Sequence, residues 1–346
     1  MYSKTILIIL IAFSLQSCSS LDKQRYESPY YNGDRFVNLD DDEDIASKSF
    51  FTVMKWKLFG PSDEPAVSEK TDLPPKVSPL TKEQLFPDKD GVKISWIGHA
   101  TAVIVFRRGE ITKTVITDPI FFDVPFTGRE VKLPIELDQL PQIDYAIISH
   151  NHFDHCDLET LRALQDLSPS ITFVMPEGMA PWAQSNGLKN AKSLRWFSKL
   201  TSGSLNIHMM PAQHWSRRAA FDMMQNHWGS YVIEMGRQRV YFGGDTAYGS
   251  HFTLIKEKFP GGFQAALLPI GAYSPRWFMK AAHVDPPEAL LANRDLGSPL
   301  MLPIHWGTFP MADESIGEPI AYLKHSSKET DNVEYWEIGG QVQFDL

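Results

Sequence analysis

The chain has 346 residues, more than a single small domain usually contains, so one large domain with an extension, or two domains, is the expected organisation. Hydrophobic residues make up 43% of the chain and aromatic residues 12%, which supplies apolar surface for a sizeable core and excludes disorder over most of the length. The formal net charge of -9 disfavours a nucleic-acid partner, because an acidic protein repels the phosphate backbone.

The first 20 residues have the features of a bacterial secretion signal. Lys4 precedes an apolar run over residues 6–15, which is too short to cross a membrane as an ordinary helix. Residues 15–18 (LQSC) resemble the lipobox, at which a lipoprotein is cleaved and its cysteine lipid-modified. We predict a signal peptide over residues 1–18, lipidation of Cys18 and attachment to a membrane through that lipid anchor. An uncleaved anchor helix is the alternative, and it also places the protein at a membrane.

The residue after the lipobox bears on location. Ser19 follows Cys18, which resembles the pattern of lipoproteins forwarded to the outer membrane in diderm bacteria. The expected location is therefore the cell envelope. With Cys18 acylated, Cys156 is the one remaining thiol, so no internal disulfide is expected.

Residues 19–90 differ in composition from the rest of the chain. They contain an acidic run over residues 40–44 and seven prolines, among them those at positions 61, 65, 74, 75, 79 and 87. This composition predicts a tether, or a strap packed on the domain surface. The aromatic residues Phe50, Phe51, Trp56 and Phe59 favour partial packing. The folded domain is expected over residues 91–346.

The predicted elements of that domain are short strands that run together before helices interleave with them. Apolar runs predict strands over 92–97, 102–106, 114–117, 145–149, 171–175, 205–210, 231–235, 240–242, 265–269 and 300–303. Helices are predicted over 158–167, 252–259 and 288–296. The last helix has a start signal, with Asp285 as N-cap, Pro286 at its first position and Glu288 completing a capping box. The order of elements predicts a layered α/β domain.

The chemistry is concentrated in the loop after the strand at 145–149, which reads SHNHFDHCD over residues 149–157. Three of the 11 histidines of the chain fall within six residues here. On an extended segment His150 and His152 can face one metal ion, while Asp154 and His155, beyond the bend, can face a second. A polar surface loop or a structural hydrogen-bond cluster is the alternative. Cys156 lacks a second thiolate at ligand spacing and is interpreted as a small packed residue at the start of the next helix.

Three further ligand candidates also follow predicted strands. His214, Asp245 and His305 come after the strands at 205–210, 240–242 and 300–303. Each alone is more often a core or turn residue, but with the first cluster they complete seven N and O ligands for two ions. Asp245 suits a bridging role, because a carboxylate has two oxygens. Two divalent ions about 3.5–4 Å apart lower the pKa of a bridging water and provide hydroxide at neutral pH.

The loop motif resembles the His-x-His-x-Asp-His signature of the metallo-β-lactamase superfamily. The resemblance to its N-acyl-phosphatidylethanolamine-hydrolysing phospholipase D branch covers about residues 90–344. Its further motifs are WIGHAT (96–101), TDPIF (117–121), PAQHW (211–215), GDTAY (244–248), IGAYSPRWFMK (270–280), HVDP (283–286) and IHWGTF (304–309).

This resemblance implies an αββα sandwich that binds two zinc ions, with other divalent metals as an alternative. It implies a first site at His150, His152 and His214, a second at Asp154, His155 and His305, and Asp245 shared between them. It places His283 against the substrate near the scissile phosphate. Two positions depart from the family pattern: Phe153 stands where mammalian members have Tyr, and Ala282 replaces a Gln.

The resulting functional hypothesis is a tethered dinuclear-metal phosphodiesterase. It hydrolyses N-acyl-phosphatidylethanolamine-like phospholipids to phosphatidic acid and an N-acylethanolamine, by attack of metal-bound hydroxide on phosphorus. Asp154 is expected to orient the hydroxide as well as ligate, and His283 to contact the phosphate or assist the leaving group. The residues predicted to contact the lipid are Phe153, Trp215, Trp277, Phe278, Met279 and His283.

Two other functions remain open at the level of sequence. The same metal site can attack the carbonyl of a lactone or β-lactam ring. An envelope lipoprotein with a structural metal site and no turnover is the third hypothesis, although a structural site needs no open metal position and a catalytic site does.

Overall fold

A computed structural model describes residues 28–40, 66–67, 74–125, 127–219 and 221–346. The predicted signal peptide, Cys18 and much of the predicted strap lie outside these described residues.

Two β-sheets form the centre of the domain. The first sheet has seven strands in the order β13-β1-β2-β3-β4-β5-β6. Their bounds are β1 Gly91–Gly98, β2 Thr101–Arg108, β3 Ile111–Thr117, β4 Tyr145–Ile147, β5 Thr172–Pro176, β6 Ala191–Leu194 and β13 Gln341–Asp345. The strands from β13 to β3 pair antiparallel, and those from β3 to β6 pair parallel.

The second sheet has six strands in the order β12-β11-β10-β9-β8-β7. Their bounds are β7 Lys199–Ser202, β8 Leu205–Met210, β9 Ser230–Met235, β10 Gln238–Phe242, β11 Ala265–Pro269 and β12 Leu300–Ile304. The three strands β10, β11 and β12 are parallel to one another.

Helices cover the outer faces of both sheets. Their bounds are α1 Leu158–Leu167, α2 Met179–Ser185, α3 His251–Lys258, α4 Arg276–Met279, α5 Pro286–Asp295 and α6 Glu318–Ser326. Helix α5 begins as predicted: Asp285 accepts a hydrogen bond from the backbone N–H of Glu288, and both halves of the capping box are present. In the described ranges no helix combines the length and the apolar character needed to cross a bilayer.

The alternation of side chains on β2 shows how the layers are filled. Val103 and Val105 pack in one core with Leu161 of α1, whereas Ile104 and Phe106 pack in a second core shared with the other sheet. Because side chains on a strand point alternately to opposite faces, the first sheet is buried on both sides. The predicted αββα sandwich is therefore confirmed.

The parallel strands bring the chemistry to one edge of the sandwich. The carboxyl ends of neighbouring parallel strands lie side by side, and open α/β sheets place their sites there. Asp118 follows β3, the loop over residues 148–157 follows β4, Asp245 follows β10 and His305 follows β12. All ten predicted strands and all three predicted helices are present, and Cys156 is buried immediately before α1.

Candidate metal centre

The loop after β4 is held by its own turn and by the start of α1. The backbone N–H groups of His155 and Cys156 both donate to the carbonyl of His152, which bends the chain between the second histidine and the third. Asp157 then caps α1, accepting from the N–H groups of Glu159 and Thr160. This fixed bend places His150 and His152 on one side and Asp154 and His155 on the other.

Asp118 fixes the orientation of two imidazoles in this loop. One carboxylate oxygen lies 2.7 Å from Nδ1 of His155 and accepts from the hydroxyl of Ser149 at 2.6 Å. The same hydroxyl lies 2.8 Å from Nδ1 of His150. With both Nδ1 atoms engaged as donors, the Nε2 atoms of His150 and His155 keep their lone pairs for a metal ion.

The first ligand group consists of His150, His152 and His214. Nδ1 of His152 lies 2.7 Å from Nε2 of His150 and 3.3 Å from Nε2 of His214, and the three nitrogens all fall within 4.8 Å of one another. Nδ1 of His214 is 2.9 Å from the carbonyl oxygen of Ala282 and donates to it, which leaves Nε2 free to bind. Three convergent imidazoles match the donor set of a zinc site.

The second ligand group consists of Asp154, His155 and His305, with His99 beside it. Nε2 of His155 lies 3.1 Å from Asp154 Oδ2 and 3.2 Å from Nε2 of His305. Nε2 of His99 contacts the same Asp154 oxygen at 2.9 Å. The ring of His99 also lies 4.1 Å from that of His305, so His99 either holds the Asp154 carboxylate in place or acts as an additional ligand itself.

Asp245 lies between the two groups. Its Oδ2 is 3.1 Å from Nε2 of His155 and 4.0 Å from Nε2 of His150 and of His214, while its Oδ1 is 3.1 Å from Nε2 of His305. Gly244, at φ +59°, permits this approach: a Cβ there would lie 2.5 Å from Cβ of Ser149. The structure therefore brings all seven predicted ligands together in the predicted two groups.

The charge states of the ligand candidates differ between the two groups. Burial lowers the pKa of His150 well below its usual value, that of His152 to about 3 and that of His214 to about 4, so these imidazoles are neutral at neutral pH. Burial alone would raise the pKa of Asp245, but the neighbouring His155 and His305 hold it well below its usual range. Against the effect of burial, Asp245 and Asp154 raise the pKa of His305 to about 9 and that of His155 well above its usual value. Metal ligation requires neutral imidazoles and ionised carboxylates, so these two histidines release protons when metal binds.

Backbone strain is concentrated at this edge. Four residues other than glycine adopt positive φ beside the ligands: His99 (50°), Asp118 (31°), Ala272 (58°) and His305 (61°). Such conformations cost free energy and persist where surrounding contacts impose them, which is common at functional sites. The N–H of His305 donates to the carbonyl of His99, so two of these residues hold each other.

A cavity of about 300 Å³ opens directly onto the ligands. Its floor contains His152, Asp154, Asp245, His283 and His305. Its walls include Val124, Phe153, Trp215, Phe278, Met279 and Met311. Five of the six residues predicted to contact the lipid therefore line it. Trp277 does not: it is half-exposed and touches Phe278 from outside the cavity.

His283 lies where the cavity meets the ligand groups. Its Nδ1 is 3.8 Å from Asp245 Oδ2, and its ring is 5.1 Å from that of His214. This nitrogen is buried and has no hydrogen-bond partner among the described residues. Nitrogens and oxygens of His214, Asp245 and His283 also fall within 4.8 Å of one another. The position suits either a contact with substrate or a further ligand.

Several residues of the site were not singled out by the sequence. His99, Asp118 and Ser149 lie within quoted motifs, but their role depends on contacts with ligands distant in sequence. Arg218 had no such signal: its guanidinium donates to the carbonyls of Asn151 and Cys156, so it ties the two halves of the ligand loop together. The same guanidinium stacks over the ring of Phe153 at 4.3 Å.

Comparison with known proteins identifies the family of this chain. Residues 113–306 match the family model described as the beta-lactamase superfamily domain. The chain is 31% identical over 320 residues to N-acyl-phosphatidylethanolamine-hydrolyzing phospholipase D 1 of Caenorhabditis elegans, covering 86% of this chain and 88% of that protein.

Two other proteins extend the comparison. The mitochondrial N-acyl-phosphatidylethanolamine-hydrolyzing phospholipase D of Saccharomyces cerevisiae is 33% identical over 252 residues, which cover 70% of this chain and 53% of that one. Among solved structures, Igni18, a metallo hydrolase from Ignicoccus hospitalis, superposes with a TM-score of 0.55 at 22% identity, covering 74% of this chain and 99% of its own. The chain belongs to the metallo-β-lactamase superfamily, in the group that includes these phospholipase D relatives, and it is a metal-dependent hydrolase.

Proposed function

We propose that this member of the superfamily is a two-metal phosphodiesterase that hydrolyses N-acyl-phosphatidylethanolamine-like phospholipids. Water is consumed, the bond between phosphorus and the ethanolamine oxygen breaks, and phosphatidic acid and an N-acylethanolamine are released. The observation that carries the proposal is the cavity, whose apolar walls lead to a floor of metal-ligating groups. The identity to two proteins named for this reaction supports it.

The residues present fit two divalent cations. Seven nitrogen and oxygen donors converge in two groups, and Asp245 faces both of them. When bound, the metals activate water as a nucleophile and neutralise the charge that develops on the phosphoryl oxygens. Zinc is the proposed metal, because imidazole-rich sites of this kind suit it.

Protein side chains have the remaining roles in the proposed reaction. Asp154 lies at the cavity floor, ordered by His99, where it can orient the attacking water as well as bind metal. His283 stands at the edge of the ligand groups, where it can donate a hydrogen bond to the phosphate or to the departing alkoxide oxygen. The aromatic and aliphatic walls exclude water and receive the acyl chains.

The two departures from the family pattern lie in this cavity. Phe153 and Ala282 both line it, so each removes a polar group from a surface that the substrate contacts. We propose that they set the preference for the headgroup and for the N-acyl chain.

The test is a defined lipid assay on the purified protein, followed by mass spectrometry. We expect equimolar phosphatidic acid and N-acylethanolamine from N-acyl-phosphatidylethanolamine, loss of both with a chelator and recovery with added zinc. In oxygen-18 water the label should enter phosphatidic acid, because attack is at phosphorus. Label in the ethanolamine product, or turnover restricted to lactone or β-lactam substrates run in parallel, would overturn the proposal.

The location is also a proposal. The lipobox-like residues ending at Cys18 support a lipid anchor in the cell envelope, and such an anchor keeps the enzyme at the surface that holds its substrate.

A further inference from the structure

Residues 28–40, called here the N-terminal segment, contact the loop that carries His214. The Asn38 amide exchanges two hydrogen bonds with the backbone of His214: Nδ2 donates to its carbonyl at 3.0 Å, and Oδ1 accepts from its N–H at 3.1 Å. Oδ1 also accepts from the indole N–H of Trp228 at 2.9 Å. Asn38 thus pairs with His214 as a neighbouring strand residue would, from 176 positions away in sequence.

The two bonds from Asn38 are the hydrogen bonds that the backbone of His214 makes. The residue is fully buried, and in the described part of the chain no other group bonds to its N–H or its carbonyl. A primary amide suits the role because it supplies one donor and one acceptor side by side. Removing it leaves two buried backbone groups unpaired, and the loop must then move to satisfy them.

The segment is anchored on both sides of Asn38. Before it, Phe36 is fully buried, its N–H donates to the carbonyl of Met224, and its ring stacks on His227 at 4.5 Å. After it, the Asp40 carboxylate accepts from the N–H and hydroxyl of Ser250. The backbone on both sides of Asn38 is therefore held in place, which positions the Asn38 amide against the loop.

The ring of His214 is held by a separate contact. Its Nδ1 donates to the carbonyl of Ala282, and its Nε2 points towards His152 and Asp245. Asn38 fixes the backbone of the ligand and Ala282 fixes its ring. Both are needed to aim Nε2, because a metal site requires its donors to be placed within about 0.5 Å.

We propose that Asn38 is a positioning residue of the metal centre, so that the N-terminal segment, which lies outside the matched domain at 113–306, is a working part of the first ligand group. The inference rests on the ligand assignment of the proposed function and does not depend on the substrate.

The experiment measures zinc affinity by chelator competition in full-length protein that carries His305→Ala, which leaves only the first ligand group complete. Asn38→Ala should weaken zinc binding by about 10- to 100-fold, the range for residues that orient metal ligands. Asn38→Asp, which keeps the acceptor and loses the donor, should fall between. The control is Asn32→Ala in the same segment. It removes the side-chain oxygen that accepts from the backbone N–H groups of Asp34 and Arg35, and it should bind zinc as the parent does.

The thermal midpoint measured in chelator and in excess zinc separates positioning from folding. Asn38→Ala should lose part of the zinc-induced rise in the midpoint, because a ligand stabilises the folded state according to its affinity. Unchanged zinc affinity in Asn38→Ala, or an equal loss in Asn32→Ala, would overturn the inference. A parent protein that binds zinc but cleaves no phosphodiester would overturn only the proposed function.

Discussion

The loops of the two sheets that meet at the candidate metal centre are held by different means. The loop of the first sheet carries four ligand candidates in six residues and is held by Asp118, a buried residue directly after the neighbouring strand β3, and by Arg218. The second sheet supplies His214, Asp245 and His305 singly, and His214 is fixed by Asn38 and Ala282, which are 176 and 68 positions away. Two imidazoles of the contiguous motif are thus oriented through one buried carboxylate, whereas the single ligand candidate His214 depends on two segments remote from it in sequence.

Substitution of Asp245 should reduce metal binding and turnover most, because its carboxylate lies between the two ligand groups. It contacts ligands of both groups, so Asp245→Asn weakens both metal sites at once. We expect turnover to fall to background and elemental analysis to find little bound metal.

The control for Asp245→Asn is Asp295→Asn, which alters a carboxylate that accepts from Tyr248 at the end of α5. That variant should keep both metals. Two tightly held metals and normal turnover in Asp245→Asn would show that the ligand assignment is wrong.

The same contrast explains what the sequence could and could not predict. Strong apolar runs fixed ten strands and three helices, and ligands could be placed because strand ends share one edge. Strands β6, β7 and β13 were missed because each lies at a sheet edge and is half-buried or exposed over at least half of its length. Strand β13 pairs with β1 from the far end of the chain, a contact that no local pattern reports.

The site shows the same limit at the level of single residues. The sequence gives no sign that Asn38 meets His214, because neither belongs to a periodic pattern that includes the other. Trp277 was predicted to contact substrate with Phe278 and Met279, but these residues form a single helical turn. Successive residues on a helix point about 100° apart, so three consecutive side chains cannot all face the same cavity. Phe278 and Met279 reach the cavity and Trp277 does not.

Substitution of His283 tests whether the part of the site contributed by the second sheet has a catalytic role beyond metal binding. His283→Ala should keep the metal content and the thermal midpoint and lower kcat by about 10²-fold or more, as for loss of an acid or a transition-state contact. Steady-state kinetics with parallel metal analysis measure this.

The matched control for His283 is His208→Ala, a half-buried histidine on β8 that packs against Phe259 away from the cavity. Loss of metal from His283→Ala would make His283 a ligand. A change in KM alone would indicate uniform substrate binding, and wild-type kinetics would make the residue structural.

Substitution of Asp118 tests how the ligand loop of the first sheet is held. Asp118→Asn keeps the size of the side chain but replaces one acceptor oxygen with a donor. It therefore cannot accept at once from His155, from the hydroxyl of Ser149 and from the backbone N–H of Ser149, as the two carboxylate oxygens do. We expect zinc affinity to fall by about 10- to 100-fold. Because Ser149 also contacts His150, both ligand groups should weaken, unlike the selective loss expected for Asn38→Ala.

Chelator competition on each variant makes that comparison. Asp144→Asn is the control, since Asp144 accepts from Lys113 and Thr114 at the opposite end of β4. If Asp118→Asn weakens only one group, the link through Ser149 does not operate.

Loss of the lipid anchor should have the smallest effect on turnover. Its removal separates the role of the N-terminal segment, residues 28–40, from that of the residues before it. Cys18→Ser removes the proposed acylation site but none of the contacts made by residues 28–40, so turnover of detergent-dispersed lipid should stay within about twofold of the parent, as for a substitution remote from the site. The variant should leave the membrane fraction, because one thiol modification supplies the anchor. Deleting residues through position 40 should instead weaken zinc binding as well as release the protein, since Asn38 is lost with the anchor. A wild type found in the soluble cytoplasmic fraction would refute the anchor, and a deletion that binds zinc normally would reduce the N-terminal segment to the tether that its composition first suggested.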